Sequence, residues 1–463
     1  MADIFYFLYI GYLLLTISLI LFSRRKPILR FSWMLIVLFV PGVGLILYFI
    51  IGSESVLNYR RGRIQKKHGA DLRALESMVV SDGSVGDNFL EKYCGSLATN
   101  DNEVVVFTDA ASKYERLSSD LRQARDSIHL QYFSIQNGEV WQQLVGIMAE
   151  KAQAGMEVKF LYDSIGCLFN FDLQIQKLKQ AGVQVAAIRP HSLEINNRNH
   201  RKIVVIDGQI GYIGGMNIGD SYRDGVGGKT WRDTHLRITG SAVQHLQKIF
   251  LTDWLISAKE FGLKDELSHY FPESDGHGNF MVQVVANGLY SKYDGNDIIN
   301  FSYFQLISRA RKRVWIQTPY FAPTDIIQET IIGLARAGVD VRIMTSSSFA
   351  FGGLFHGSIA NYFLRYLMDS GVKVYKYKGI LHAKTMIVDD TACIGSVNLN
   401  SRSLSRDDEV YAYLNSRDFV SQYQSIYEQD LLHCDELDYE KFRRQSFASR
   451  VLESAVSLFS SLF

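Results

Sequence analysis

The sequence predicts an α/β protein: two tandem, pseudo-symmetric α/β domains sharing one active site, preceded by an N-terminal hairpin of two transmembrane helices. Three observations carry this. The first is an internal repeat. ARDSIHLQYF from Ala124 answers ARKRVWIQTPYF from Ala310, and AGMEVKFLYD from Ala154 answers AGVDVRIMTS from Ala337. AGVQVAAI from Ala181 answers SGVKVYKY from Ser370, and HRKIVVIDG from His200 answers HAKTMIVDD from His382. A period near 180 residues is too long for a solenoid, so two copies of one domain are fused in one chain. The second is the alternation of β-branched runs with helical patterns, and the third is a pair of long uncharged runs near the N-terminus.

Those runs come first in the chain. Ile4 to Phe22 and Phe31 to Ile51 carry no charge, and about 20 apolar residues suffice for a helix to cross the hydrocarbon core. The first lacks the basic lead and small-residue cleavage site of a signal peptide. Pro41, Gly42 and Gly44 interrupt the second, which leaves a spanning and a re-entrant form open. Arg24, Arg25, Lys26 and Arg30 lie between the runs, and Arg60, Arg61, Arg63, Lys66 and Lys67 follow them. Against Asp3 and Glu54 this local basic excess implies an anionic lipid surface.

The remainder has the composition of a folded protein. Of 463 residues, 47% are hydrophobic and 21% charged, which excludes disorder as the main state. Lys and Arg number 49 against 48 Asp and Glu, so net charge gives nucleic-acid binding no support. The four cysteines Cys94, Cys167, Cys393 and Cys434 are scattered, without metal-ligand spacing, and read as buried thiols.

In the first copy, residues 104–107, 128–133, 158–162, 183–188 and 202–207 read as buried strands. Helices are expected from Glu139 to Ala154 and up to Ala181, each stopped by a glycine, Gly155 or Gly182. A helix and then a turn-rich ESDGHGN bridge the copies. At the C-terminus Phe447, Val451, Leu452, Ala455, Leu458, Phe459, Leu462 and Phe463 form a helical apolar stripe beside Arg443, Arg444 and Arg450. It suits the membrane interface and the body of the protein equally. The organisation is thus a membrane hairpin at 1–55, a linker at 56–100, a first half at 101–245, a bridging segment at 246–290, a second half at 291–430 and an amphipathic tail at 431–463.

The pattern H-x-K-x4-D occurs twice: His200, Lys202 and Asp207, then His382, Lys384 and Asp389. Two such matches in register with an independent repeat arise by chance on the order of once in a thousand chains or less. On a strand, residues i and i+2 share a face, so each His and Lys project together. Asn217 and Asn398 follow, in IGGMN and IGSVN, and then Asp233 in WRDTH and Glu409 in RDDEV. Two His, two Lys and two Asn converging on one point suit a phosphodiester. The lysines balance its charge, the amides donate to its oxygens, one His attacks phosphorus and the other protonates the departing oxygen. A carboxylate behind each imidazole fixes its tautomer. This chemistry calls for no metal and no cofactor.

These blocks resemble the phospholipase D superfamily and, within it, the bacterial cardiolipin synthases. NRNHRKIVVIDG, IGGMNIGD, WRDTHLRITG, TPYFAPTD, LHAKTMIVDD and GSVNLNSRS carry the likeness, with the VPGVGLILYFIIGSE segment of the hairpin. It covers nearly the whole chain and implies phospholipase D-type domains. It also implies transfer of a phosphatidyl group from one phosphatidylglycerol to another, with release of glycerol, through a phosphohistidine. A phospholipase D, or a phosphatidyltransferase with another donor or alcohol acceptor, is the alternative on the same machinery. The resemblance carries over His200 as nucleophile and His382 as general acid, with the reverse assignment open. Lys202, Lys384, Asn217 and Asn398 become phosphate ligands, and Asp233 and Glu409 orient the imidazoles. Asp207 and Asp389 complete the catalytic motif, though bracing the fold suits them better than touching substrate. Three departures from the family pattern bear on acceptor choice: Asp407 where Asn is usual, SSSFAFGG after Thr345, and Asn287-Gly288 where Gly-Pro is common. The expected partners are phosphatidylglycerol and the lipid bilayer, not nucleic acid, and one chain supplies both halves of the site, so dimerisation is not required. The expected location is the bacterial inner membrane, multi-pass, with the catalytic part on the cytoplasmic face.

Overall fold

The computed structural model describes residues 2–23, 27–49, 55–79, 83–167, 172–188, 198–258, 263, 267–288, 297–347 and 353–460. Arg24, Arg25, Lys26, Ile51, residues 348–352 of the SSSFAFGG departure, and Leu462 and Phe463 of the terminal stripe lie outside the described residues. The described residues fall into two units, divided between Gly69 and Ala70.

In the N-terminal unit the first uncharged run forms the helix Ala2–Leu21. The second is split into Pro27–Phe39 and Val43–Leu47 by a turn at Pro41 and Gly42. Gly44 makes the turn possible: a Cβ there would stand 2.9 Å from the Ile36 carbonyl oxygen. Tyr12 of the first helix accepts the Gly42 N–H through its hydroxyl, and Ile20, Val37 and Tyr48 form a small core. Most other apolar side chains of this unit are exposed, Phe7 at 71% and Phe22 at 89% among them. Among the described residues no helix is long and apolar enough to cross a membrane.

Among the described residues the second unit holds seventeen strands in two matching halves, fifteen of them in one sheet. The first half contributes β1 (Ala98–Phe107), β2 (Ser127–Tyr132), β3 (Glu157–Asp163), β4 (Gln184–Ile188), β5 (Ile203–Ile206), β6 (Ile210–Gly214), β7 (Trp231–Arg232) and β8 (His235–Thr239). The second contributes β9 (Phe280–Ala286), β10 (Arg313–Gln317), β11 (Asp340–Ser346), β12 (Lys373–Tyr377), β13 (Ile380–Leu381), β14 (Thr385–Val388), β15 (Thr391–Gly395), β16 (Val410–Leu414) and β17 (Cys434–Glu436). The sheet runs β17-β12-β11-β10-β14-β15-β16-β9-β1-β8-β6-β5-β2-β3-β4. Read outward from the antiparallel β9–β1 junction, the two sides repeat the same order, with β17 added at one edge. β2, β3 and β4 pair in parallel, as do β10, β11 and β12, while the inner strands and the added β17 pair antiparallel.

The parallel strands are joined by crossover helices, as right-handed α/β units require. Glu139–Gln153 links β2 to β3, and its buried Val140, Trp141, Leu144, Val145 and Met148 fall at the three- and four-residue steps of one helical face. Gly155 and Gly182 stop the helices with φ of +88° and +95°, a conformation that carries no penalty for glycine. β7 and β13 form a separate two-stranded parallel ribbon, which ties the first half to the second.

Candidate active site

Each HxK segment is an extended lead-in to a fully buried strand, His200 and Lys202 to β5 and His382 and Lys384 to β14. Each His therefore stands three residues before the strand and each Lys one, outside the strand expected to hold them, but the buried runs IVVI and TMIV still anchor both pairs. β5 and β14 occupy equivalent places in the two halves of the sheet.

Two short bridges between the halves bring the carboxylates in. Asn199 pairs with Asp408, with the His200 N–H donating to the Asp408 carbonyl at 2.9 Å, so Glu409 stands behind His200. The β7–β13 ribbon pairs Leu381 with Arg232, with the His382 N–H donating to the Arg232 carbonyl at 2.7 Å, so Asp233 stands behind His382. His200 Nδ1 lies 3.0 Å from Glu409 Oε1, and His382 Nδ1 lies 2.6 Å from Asp233 Oδ2. Each imidazole is thus oriented by the carboxylate of the other half. With Nδ1 engaged, Nε2 is the nitrogen left for substrate.

Both imidazoles, Asn217 and Asn398 line one cavity of about 250 Å³, together with Phe133, Arg198, Tyr222, Trp231, Tyr320, His356, Ile380, Arg402 and Asp407. Asn217 donates to the Tyr222 hydroxyl at 2.6 Å and accepts from the Ser134 N–H. Among the described residues, the buried Asn398 side-chain oxygen has no hydrogen-bond partner. Phe133 packs edge-on against His200, and Trp231 and Tyr222 pack against His382. Lys202 and Lys384 are buried behind the imidazoles and donate to the carbonyls of His200 and His382.

Burial dominates the electrostatics of the cluster. Burial pulls Lys202 down to about 7 and Lys384 to about 8, with Glu409 and Asp233 respectively opposing. Burial, then Lys202 and Lys384, hold His200 well below its ordinary value, and burial and Lys384 take His382 to about 4. The two carboxylates differ. Burial raises Glu409 to about 7 against the pull of Lys202, whereas for Asp233 burial is outweighed by Lys384 and His382, which hold it below the usual range. A phosphodiester between the imidazoles would favour the charged form of both lysines.

Asp207 and Asp389 are not among the residues that line the cavity. Asp207 accepts from the N–H groups of Arg125, Asp126 and Ser127, and Asp389 from those of Arg311, Lys312 and Arg313. They hold the start of β2 and β10, and both adopt positive φ, 54° and 49°. Three features escaped the sequence reading. Ser396 donates to Glu409 and takes the Val410 N–H; Gly215, at the matching position, lies so close to Asp233 that a Cβ would clash. Gln131 and Gln317, equivalent in the repeat, hydrogen-bond Asp253 and Asp430, which in turn hold Arg201 and Arg232 beside the catalytic segments. Aligning the repeat residue by residue is the signal that could have found these pairs. Of the departures, Asn287 binds the Glu409 N–H and the Asp407 carbonyl, and Asp407 faces the cavity.

The chain has clear relatives. Residues 117–254 and 303–431 match a family model described as cardiolipin synthase, PLD-like domain, and residues 10–53 match one described as phospholipase D-nuclease N-terminal. A cardiolipin synthase of Staphylococcus aureus (strain N315) is 33% identical over 97% of this chain and 94% of its own. That of Halalkalibacterium halodurans is 35% identical over 96% and 91%. A crystal structure of phosphatidylserine synthase from Haemophilus influenzae Rd KW20 shares the fold, with a TM-score of 0.61 and 16% identity over 78% of this chain and 95% of that one.

Proposed function

The chain belongs to the cardiolipin synthase family of phosphatidyltransferases with PLD-like domains, and from that premise we propose that it joins two phosphatidylglycerol molecules into cardiolipin, releasing glycerol, through a phosphohistidine. The observation that carries this reading is the pair of imidazoles on one cavity, each held at Nδ1 by the other half's carboxylate.

His200 Nε2 attacks the donor phosphorus, forming the N–P bond as the bond to the glycerol oxygen breaks. Its strongly lowered basicity keeps that lone pair unprotonated. His382, backed by ionised Asp233, regains a proton as the anionic substrate enters and delivers it to the departing oxygen. In the second step the acceptor hydroxyl attacks phosphorus, its proton returns to His382 and the N–P bond breaks. Lys202, Lys384, Asn217 and Asn398 hold the phosphoryl oxygens throughout.

The lipid setting rests on separate features. The exposed apolar helices of residues 2–49 suit insertion into a bilayer, in the multi-pass, cytoplasm-facing arrangement expected from the sequence. In the terminal helix Phe447–Ser457, Glu453 is buried against Arg365 while Phe447, Val451 and Leu452 stay exposed.

Reconstituted protein given labelled phosphatidylglycerol should yield cardiolipin and glycerol in equal amounts. Formation of neither rejects the proposal; phosphatidate as the main product favours a phospholipase.

A further inference from the structure

The two halves of the cavity wall are not equivalent. Arg198 stands two residues before His200, and its counterpart two residues before His382 is Ile380. Arg402 stands four residues after Asn398, and its counterpart four after Asn217 is Ser221. Repeat symmetry has been broken twice, both times by placing a guanidinium on the same wall. Arg198 and Arg402 both line the cavity that holds His200 and His382.

One carboxylate ties the two together. Asp407 Oδ2 accepts from Arg402 Nε at 3.1 Å, and Oδ1 accepts from the Arg198 backbone N–H at 3.3 Å. Among the described residues, the buried Arg198 Nε has no partner. Asp163, the other carboxylate acting on Arg198, is engaged by the N–H groups of Ile165, Gly166 and Asn199. Among the described residues that line the cavity, two guanidiniums and the imidazoles of His200, His356 and His382 share the lining with one carboxylate, Asp407. Burial, and then its neighbour Arg402, lowers Arg198, while burial raises Asp407. A second anion at this wall would favour the charged form of Arg198 and push Asp407 further toward its neutral acid.

Joining two phosphatidylglycerols demands such an anion. The donor phosphate lies between the imidazoles with the two lysines. The acceptor hydroxyl sits on a glycerol whose far end is itself a phosphodiester, so a second negative charge must come to rest one glycerol away from the reacting phosphorus. We propose that Arg198 and Arg402 form the acceptor-phosphate subsite of this cavity, an inference that rests on the transferase reading above. Forked guanidinium donors suit two phosphate oxygens better than an ammonium would. Transfer to a phosphate-bearing alcohol is then favoured over transfer to water or a neutral alcohol.

The test uses the full chain in detergent micelles, with phosphatidylglycerol as donor and two soluble acceptors, glycerol and glycerophosphoglycerol. These share the reacting alcohol and differ in the phosphodiester. Wild type should half-saturate with glycerophosphoglycerol at a concentration at least about tenfold below that for glycerol. R198Q and R402Q should lose that preference; if R198Q does not fold, R198K, which keeps the charge without the fork, should weaken it. Equal half-saturation in wild type, or a preference intact in the variants, overturns the subsite. A wild type that transfers to neither acceptor instead overturns the transferase reading.

Discussion

Glu409 of the second repeat hydrogen-bonds Nδ1 of His200 in the first at 3.0 Å, 209 residues away in the chain. Asp233 does the same for His382 in the opposite direction. Neither half can therefore orient its own imidazole, and duplication alone would not make two working sites. The arrangement needs the Asn199–Asp408 bridge and the β7–β13 ribbon, each of which carries a histidine on one chain segment and the other half's carboxylate on its neighbour.

The first prediction follows from this exchange. Glu409→Gln and Asp233→Asn should each lower kcat by about 100-fold or more with little change in KM, since each keeps the shape but loses the charge that sets the tautomer. With phosphate-labelled donor and a rapid quench, H382A should retain label on the protein and H200A should not. Label retained by H200A alone would reverse the roles of the two imidazoles.

The pH dependence is set by the buried lysines. Their values, about 7 for Lys202 and about 8 for Lys384, lie below the ordinary lysine value, so protons are lost as pH rises through this range and phosphate binding weakens. In the free enzyme kcat/KM should fall between pH 7 and 8 with a slope approaching two protons. Lys202→Arg keeps its charge throughout. Its alkaline limb should move up to that of Lys384 and flatten to one proton, whatever the absolute rate. An unchanged limb would remove Lys202 from phosphate binding.

What the sequence revealed was local. The strands expected at 128–133, 158–162 and 183–188 are β2, β3 and β4 within a residue or so, because β-branched runs closed by glycine-stopped helices need no distant partner to be read. The HxK pairs and the asparagines were equally visible. What stayed hidden depends on contacts far apart in the chain. Which carboxylate serves which histidine is decided by two-residue bridges with no pattern of their own. β6 and β8 hide in glycine-rich or short mixed segments, IGYIGG and HLRIT. Lys113, on a helix of polar appearance, is buried because the Tyr132 hydroxyl, 2.9 Å away, accepts from its ammonium.

Asp207 and Asp389 should matter for folding rather than chemistry. Each accepts three backbone N–H groups at a strand start, and Asp389 is held below its usual value because those donors outweigh its burial. Asp389→Ala should cost about 1–3 kcal/mol in urea unfolding by leaving donors unmatched. The KM of the folded fraction should stay near that of wild type; a KM rise with no loss of stability would return Asp389 to the site. Its stabilisation is present above the ordinary carboxylate value and lost as acid protonates the folded form, so the gap between variant and wild type should close at low pH.

The terminal helix Phe447–Ser457 turns its one carboxylate inward and its apolar side chains outward. Glu453 is 3% exposed and bound to Arg365 at 2.7 Å, whereas Phe447 is 82% exposed and Leu452 56%. A helix that stabilised the body by apolar burial would do the reverse. The two faces can therefore be separated by mutation. Glu453→Ala removes the carboxylate from the half-buried Arg365, which keeps Gln445 and the Phe442 carbonyl, and should cost about 1.5–3 kcal/mol, read as a lower unfolding midpoint. Val451→Glu with Leu452→Glu touches only exposed positions, so stability should stay within about 0.5 kcal/mol. Each apolar side chain inserted in lipid contributes about 1.5–3 kcal/mol. The paired glutamates should then raise the surface concentration of phosphatidylglycerol needed for half-maximal activity in mixed micelles by about tenfold or more, with the adjoining Arg443, Arg444 and Arg450 left in place. If activity in micelles is unaffected while Glu453→Ala destabilises as expected, the helix serves the fold and its outer face meets no lipid.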